Sequence, residues 1–252
     1  MKKAPKSNIK ETDLFAPIQA FWLDRGYVVN AEVKGFDITL TKDNRLTIIE
    51  TKLHFNTTLL YQAIEAQKVA DFVYIAIPAQ PYKKLAKITH IAKSLNLGLI
   101  TISDAKWVNI VLGQEDAYIN APTSRKNTKK QKRVKAEIEN RKVDTNIGGS
   151  RGVKLITAYK EKSIHIALAL QHLHANGTET ISPAQLIKQY NCPPNTRAIM
   201  YENAQGWFAR KGKAQYCLDK KGTKALSLPE YTKVVDYYQR IVNEYANKEE
   251  KE

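Results

Sequence analysis

Two strand-like runs joined by Asp43-Asn44 constrain this chain more than any other feature. Lys34-Gly-Phe-Asp-Ile-Thr-Leu-Thr41 comes before that pair and Arg45-Leu-Thr-Ile-Ile-Glu-Thr-Lys-Leu53 comes after it. Asp and Asn both tolerate the positive φ that a tight hairpin turn needs. With those two residues as the loop, Lys42 faces Arg45 and Asp37 lies directly opposite Glu50. Side chains alternate along a strand, so Lys52 shares the face of Glu50. Two carboxylates and an ammonium then converge on one patch, which suits a hard divalent cation with oxygen ligands and a lysine beside it. Directly opposed carboxylates repel and weaken a sheet. A chain that keeps them either neutralises them with a cation or leaves them solvated on an exposed edge. The apolar run Leu46-Thr-Ile-Ile49 ahead of Glu50 argues for a buried strand and, with the Asp37 register, sets Glu50 apart; the spacing alone leaves the cation site and the solvated edge both open. Glu-x-Lys also occurs at Glu32-Val-Lys34 and Glu249-Glu-Lys251; Glu32 has only Asp24 upstream, on a predicted helix.

The chain has 252 residues, enough for two domains, and 43% of them are hydrophobic, enough for a globular core. It contains no apolar stretch of the ~18 residues that a membrane span requires, so no membrane association is expected. Met1-Lys-Lys-Ala-Pro-Lys6 is basic but lacks the apolar segment of a signal peptide. Cys192 and Cys217 form neither a disulfide framework nor a zinc spacing, and they read as thiols of a cytoplasmic protein. The net charge is +15, unevenly spread. Residues 1–121 carry +3, residues 122–228 carry +14 and residues 229–252 carry −2. Such an excess points to a polyanion, with nucleic acid the natural partner.

Residues 1–121 are expected to form one α/β domain. Thr12-Asp13 can cap a first helix that Gly26 closes. Tyr27–Val33 and the hairpin supply three strands. Asn56-Thr-Thr58 opens a second helix, Phe72-Val-Tyr-Ile-Ala-Ile77 has the continuous apolar character of a buried strand, Pro81 starts a third helix and Gly98-Leu-Ile-Thr-Ile102 is a further strand. The later part is βαβ-like, so a mixed sheet with helices on both faces follows. Residues 122–152 are expected to be a basic linker, partly helical around Val134–Ile138, with Lys129, Lys130, Lys132 and Arg133 available to phosphates. Residues 153–228 give three helices followed by a two-stranded basic hairpin, the winged-helix order. Ser182-Pro183 starts its second helix and Asn195 can cap the third. There Arg197 would sit on the groove-reading helix, with Arg210, Lys211 and Lys213 on the wing along phosphates. Residues 229–252 carry a helical apolar stripe from Val234 to Tyr245, expected to be a docking face.

These residues resemble the PD-(D/E)xK nuclease superfamily. The match is Asp37, then Glu50-Thr51-Lys52 after an apolar strand, then a helix carrying Gln62. More narrowly, the chain resembles an uncharacterised bacterial family of PD-(D/E)xK-type phosphodiesterases over roughly residues 11–226. The matching stretches are Glu11-Thr-Asp-Leu14, Arg25-Gly-Tyr27, Phe36-Asp37, Glu50-Thr-Lys52, Tyr61-Gln-Ala63, Val73-Tyr-Ile-Ala-Ile-Pro78, Ile147-Gly-Gly-Ser150, Thr157-Ala-Tyr159, Gly206-Trp-Phe208 and Gln215-Tyr-Cys-Leu218. The resemblance implies a restriction-endonuclease-like sheet with a winged-helix-like C-terminal domain. It makes Asp37, Glu50 and the Thr51 carbonyl ligands of Mg²⁺ or Mn²⁺, and gives Lys52 the role of orienting the attacking water. Glu11 would hold a second ion or one of its waters, and Gln62 would aim into the site from its helix. Thr51 stands where close relatives would carry Leu; its side chain is expected to point to the other face. The implied activity is hydrolysis of nucleic acid, foremost DNA, and cutting both strands of a duplex would favour a homodimer. The rival readings are a DNA-binding module that keeps the scaffold without the chemistry, and an adaptor acting through the tail helix.

Overall fold

The structure, a computed structural model, describes residues 10–113, 126–143, 145–148 and 155–249. Residues 1–6, Arg125, Gly149-Ser150, Arg151 and the expected boundaries at 121/122 and 152/153 lie outside them. Two compact units divide the chain: residues 1–139 with 146–155, and residues 140–145 with 156–252.

The first unit is built on a six-stranded sheet in the order β1 (Val28–Val33), β2 (Phe36–Lys42), β3 (Arg45–Thr51), β4 (Phe72–Pro78), β5 (Gly98–Ile102), β6 (Val108–Leu112). β1 to β3 are antiparallel neighbours, β3 to β5 are parallel, and β6 returns antiparallel at the edge. The two parallel crossovers are α2 (Thr57–Gln67) and α3 (Tyr82–Ser94), because parallel neighbours need a connection that returns along the sheet. Asp43 (φ 49°) and Asn44 (φ 62°) make the expected turn, and Lys42 pairs with Arg45. Lys34 (φ 53°) and Gly35 (φ 86°) form a second such turn, so β2 starts at Phe36 and not at Lys34.

Apolar side chains cover both faces of the sheet. On one face Leu46, Ile48, Ile75 and Ile77 pack with Leu59, Ala63 and Ala66 of α2 and Ile88 and Ala92 of α3. On the other, Ile38, Leu40, Ile49 and Ile100 pack with Leu14 and with Ile18 and Trp22 of α1 (Phe15–Leu23). Glu11–Leu14 form a 3-10 turn, and α1 begins only at Phe15; the Asp13 carboxylate accepts the Lys10 N–H at 2.8 Å and does not cap a longer helix. Strand β6 was not expected, because Val108-Asn-Ile-Val-Leu112 is short and only half-buried. Within the stretch read as a basic linker, α4 (Thr128–Asn140) buries Val134 and Ile138 against the α2/α3 face.

The second unit is winged-helix-like. It contains α5 (Ala158–Ala175), α6 (Pro183–Tyr190), α7 (Thr196–Glu202) and the wing strands β7 (Phe208–Gly212) and β8 (Gln215–Leu218). Ser182 caps α6 in a box with Gln185, while the Asn195 side chain makes no cap bond to α7. Ile181 bridges Tyr216, adding a third partner to the wing. Two further helices follow, α8 (Lys220–Leu226), which was not expected, and α9 (Thr232–Glu249). Val234, Tyr238 and Val242 of α9 are buried in this unit's core with Ile164, Leu168 and Ile199. The apolar stripe of the tail therefore closes its own domain. Among the described residues, no helix is long and apolar enough to cross a membrane.

Gly98 opens β5 under the Tyr74 ring, and a methyl group there would fall 2.2 Å from Tyr74 Cδ1. Gly98→Ala is expected to cost about 2 kcal/mol through overpacking, lowering the first unit's Tm by ~4–8 °C in a calorimetric scan.

Candidate active site

The β2–β3 register places the predicted carboxylates. Ile38 pairs with Ile49, and one step further along the same register Asp37 faces Glu50. The Thr51 N–H and Oγ1–H both donate to Asp37 Oδ2, at 2.9 and 3.0 Å. Contrary to expectation, the Thr51 side chain therefore reaches a site carboxylate. Lys52 Nζ lies 3.4 Å from Glu11 Oε2 and 4.0 Å from Asp37 Oδ2, and donates to the Thr51 carbonyl at 3.0 Å. The turn Glu11–Leu14 thereby reaches the ends of β2 and β3 through one ammonium.

Glu50 is the most constrained member. It is 1% exposed, and its Oε2 has no hydrogen-bond partner. Burial pushes its carboxyl up to about 9 and the Asp37 charge adds to this, while Lys52 and the Asp37 N–H oppose the shift. The Glu32 charge also raises it. Glu32 sits in the left-handed region (φ 51°) between the pairs Ala31↔Ile38 and Val33↔Phe36, which sets it opposite Asp37 on the other side of β2. Sequence reasoning missed this residue. Its signal was the Lys34-Gly35 turn: counting back from it puts Glu32 in register with Asp37.

Gln62 lies on α2 with Oε1 buried and unpartnered, a second buried oxygen without a donor. Gly148, from the Ile147-Gly-Gly-Ser150 motif, seats against the β2–β3 hairpin: a Cβ there would meet the Asp37 carbonyl oxygen at 3.1 Å and Phe15 at 3.0 Å. A side chain at that position would push on the backbone that carries Asp37, a constraint invisible in the motif itself.

Among the described residues, no group of three His, Cys, Asp or Glu side chains converges to hold a metal. Magnesium does not require one, because it binds through one or two carboxylates and keeps several waters. Asp37, the unpaired Glu50 oxygen and the Thr51 carbonyl are hard oxygen donors of the kind it takes, and an uncompensated buried carboxylate calls for a cation. The residues present fit the ion.

The basic residues fall into separate groups. Lys129, Lys132 and Arg133 are exposed on α4, whereas Lys130 lies over the Phe36 ring, 4.9 Å from its centroid. In the second unit, Arg197, Arg210 and Lys213 line a groove of about 590 Å³ together with Tyr201. Lys211 lines a different cavity with Glu179 and Lys220, as strand alternation dictates for a neighbour of Arg210.

A family model described as "Putative PD-(D/E)XK phosphodiesterase" matches residues 100–225, half of the chain. The matched stretch runs from β5 to α8 and does not include the hairpin. No curated protein and no solved structure matches the chain.

Because the Glu50 pKa is raised above its unfolded value, folding takes up a proton at this group between pH 4.5 and about 9. Its contribution is therefore most favourable in acid and is lost as pH rises through that window, by at most about 1.4 kcal/mol per pH unit. Urea melts in EDTA at pH 5.5 and 8.5 should show this loss in the native protein. Glu50→Gln should remove the slope and be the more stable protein at pH 8.5.

Proposed function

The chain belongs to the family described as "Putative PD-(D/E)XK phosphodiesterase", and from that membership and the setting of Glu50 we propose that it is a metal-dependent nuclease acting on DNA. The observation that carries the reading is the buried, unpartnered Glu50 oxygen beside Asp37 and Lys52. Structural acids are normally solvated or fully hydrogen-bonded; this one has an oxygen left over, which a bound cation would complete in exchange for the proton.

Asp37 and Glu50 would hold Mg²⁺ or Mn²⁺, with the Thr51 carbonyl as a further donor. Such an ion supplies a water of lowered pKa and neutralises charge that develops on the phosphoryl oxygens. The Thr51 N–H and hydroxyl fix the rotamer of Asp37, leaving its other oxygen for the ion. Lys52, steadied by Glu11, presents a cation to the scissile phosphate and orients the attacking water; donation to phosphate oxygens suits it better than proton abstraction. Gln62 would aim its buried Oε1 towards the site from α2. The second unit would bind the nucleic acid, with Arg197 on α7 and Arg210 and Lys213 on the wing reaching phosphates across one groove, and exposed Lys129, Lys132 and Arg133 of α4 adding to the field. Cleavage of both strands would call for two copies of the chain.

Incubation of supercoiled plasmid, linear duplex and single-stranded DNA with Mg²⁺ or Mn²⁺ tests the reading. Cleavage is expected, and it should vanish in EDTA and in Glu50→Ala. Lys52→Ala should slow turnover by about 10²–10³-fold, as for loss of one charge-stabilising donor, with DNA affinity nearly unchanged. Unchanged turnover in Lys52→Ala would remove the assignment, and salt-sensitive binding without cleavage would leave a DNA-binding module on a nuclease scaffold. Replacing Arg197 or Lys213 by Ala should weaken binding across sequences and reduce the slope of log K against log[salt] by about 1.

A further inference from the structure

A rim of exposed aromatic side chains borders the edge of the sheet that carries Glu50 and Lys52. The parallel strands end together there, with Thr51 paired to Ala76 and Pro78 to Ile102. The segments that leave those ends carry Tyr61 on α2, Tyr82 at the first position of α3 and Trp107 at the β5–β6 turn. They are 67%, 84% and 75% exposed. Among the described residues, every exposed Phe, Tyr or Trp of the first unit lies on these three segments.

Trp107 is presented on a rigid tip. Its N–H donates to Ser103 Oγ at 3.1 Å, its carbonyl accepts the Ser103 N–H at 3.0 Å, and Lys106 closes the turn at φ 65°. Lys106 Nζ also reaches the Asp13 carbonyl at 3.5 Å, two residues from the Glu11 that pairs with Lys52. The tip and the catalytic cluster thus share one rim. The other two tryptophans, Trp22 and Trp207, are buried, so an indole fixed in water is out of character for this chain.

Cations are interleaved with these rings: Lys83 and Lys84 follow Tyr82, and Lys106 precedes Trp107, all exposed. Alternating aromatic faces and cations fit a strand whose bases are free to stack while its phosphates are neutralised. Paired bases in a duplex are stacked on one another and offer no face to such rings. We infer that the strand engaged at this edge is single-stranded DNA, with unpaired bases stacked on Trp107 and Tyr82 and the backbone led towards Glu50 and Lys52. This rests on the nuclease reading for the identity of the edge, but not for the binding itself.

The emission accessible to iodide reports Trp107, since Trp22 and Trp207 are buried. The full chain in EDTA is titrated with a single-stranded oligonucleotide and with a blunt duplex of the same sequence. The single strand should quench Trp107 and shield it from iodide, and the duplex should not. Trp107→Ala should weaken single-strand binding roughly tenfold, the loss of one stacked base, and Trp107→Phe should recover most of it. Equal shielding by the duplex, or unchanged single-strand affinity in Trp107→Ala, would overturn the inference. Shielding by the single strand without any metal-dependent cleavage would uphold it while sinking the nuclease reading. Cleavage of duplex plasmid by a protein whose Trp107 stays open to iodide under single-strand excess would do the reverse.

Discussion

The Glu50 carboxylate, buried beside Asp37 at the end of two paired strands, is the constraint around which the first unit is organised. A carboxylate taken out of water costs several kcal/mol unless charge or hydrogen bonds replace its solvent. Here the replacement is partial. The Asp37 N–H and the Lys52 ammonium act on it, the Asp37 and Glu32 charges act against it, and one oxygen is left with nothing. The sheet tolerates this because its neighbours are secured on both faces: Ile48 and Ile75 pack under α2, and Ile38 and Ile49 pack under α1. A buried acid left short of partners at one point of an otherwise well-packed sheet marks that point as a candidate functional site.

The polar shell around that point is tied to distant parts of the chain. Lys52 joins β3 to the turn at Glu11, Thr51 joins β3 to Asp37, and Gly148 rests on the Asp37 backbone. Each contact restricts a side chain whose placement matters to the proposed chemistry. Small errors in such placement are costly, because an ion or phosphate senses oxygen positions to fractions of an ångström.

The second unit handles charge in the opposite way. Its cations Arg197, Arg210 and Lys213 are left on the surface of one groove, whereas its buried acid, Glu161, is fully engaged. Glu161 accepts the N–H groups of Lys142 and Val143 and the Tyr238 hydroxyl, so that Lys142-Val143, α5 and α9 are fastened together. His165 stacks on Tyr238, and burial lowers its pKa to about 4, which keeps the imidazole neutral in the core. The charge of this unit faces outwards, and its fold rests on the buried contacts and not on that field.

Much of the architecture was legible because it is encoded within a few neighbouring residues. The positive φ of Asp43-Asn44 sets the hairpin, alternation along β3 puts Glu50 and Lys52 on one face, the Ser182-Pro183 pair starts α6, and the apolar run Phe72–Ile77 marks a buried strand. The features that could not be read depend on which distant surfaces meet. The basic composition of residues 126–143 hid Val134 and Ile138, whose burial requires the sheet face that α2 and α3 also cover. The stripe of α9 had no visible partner until α5 stood beside it. Thr51 turned towards Asp37, not away, because a hydroxyl near a carboxylate gains a hydrogen bond that strand alternation does not weigh. Glu32 and Gly148 entered the site through a neighbouring strand and a segment more than a hundred residues away. Turn geometry and side-chain periodicity are local steric properties of the backbone, so they survive in the sequence. Packing partners, and the burial that shifts Glu50, arise only when the whole sheet closes and water is expelled.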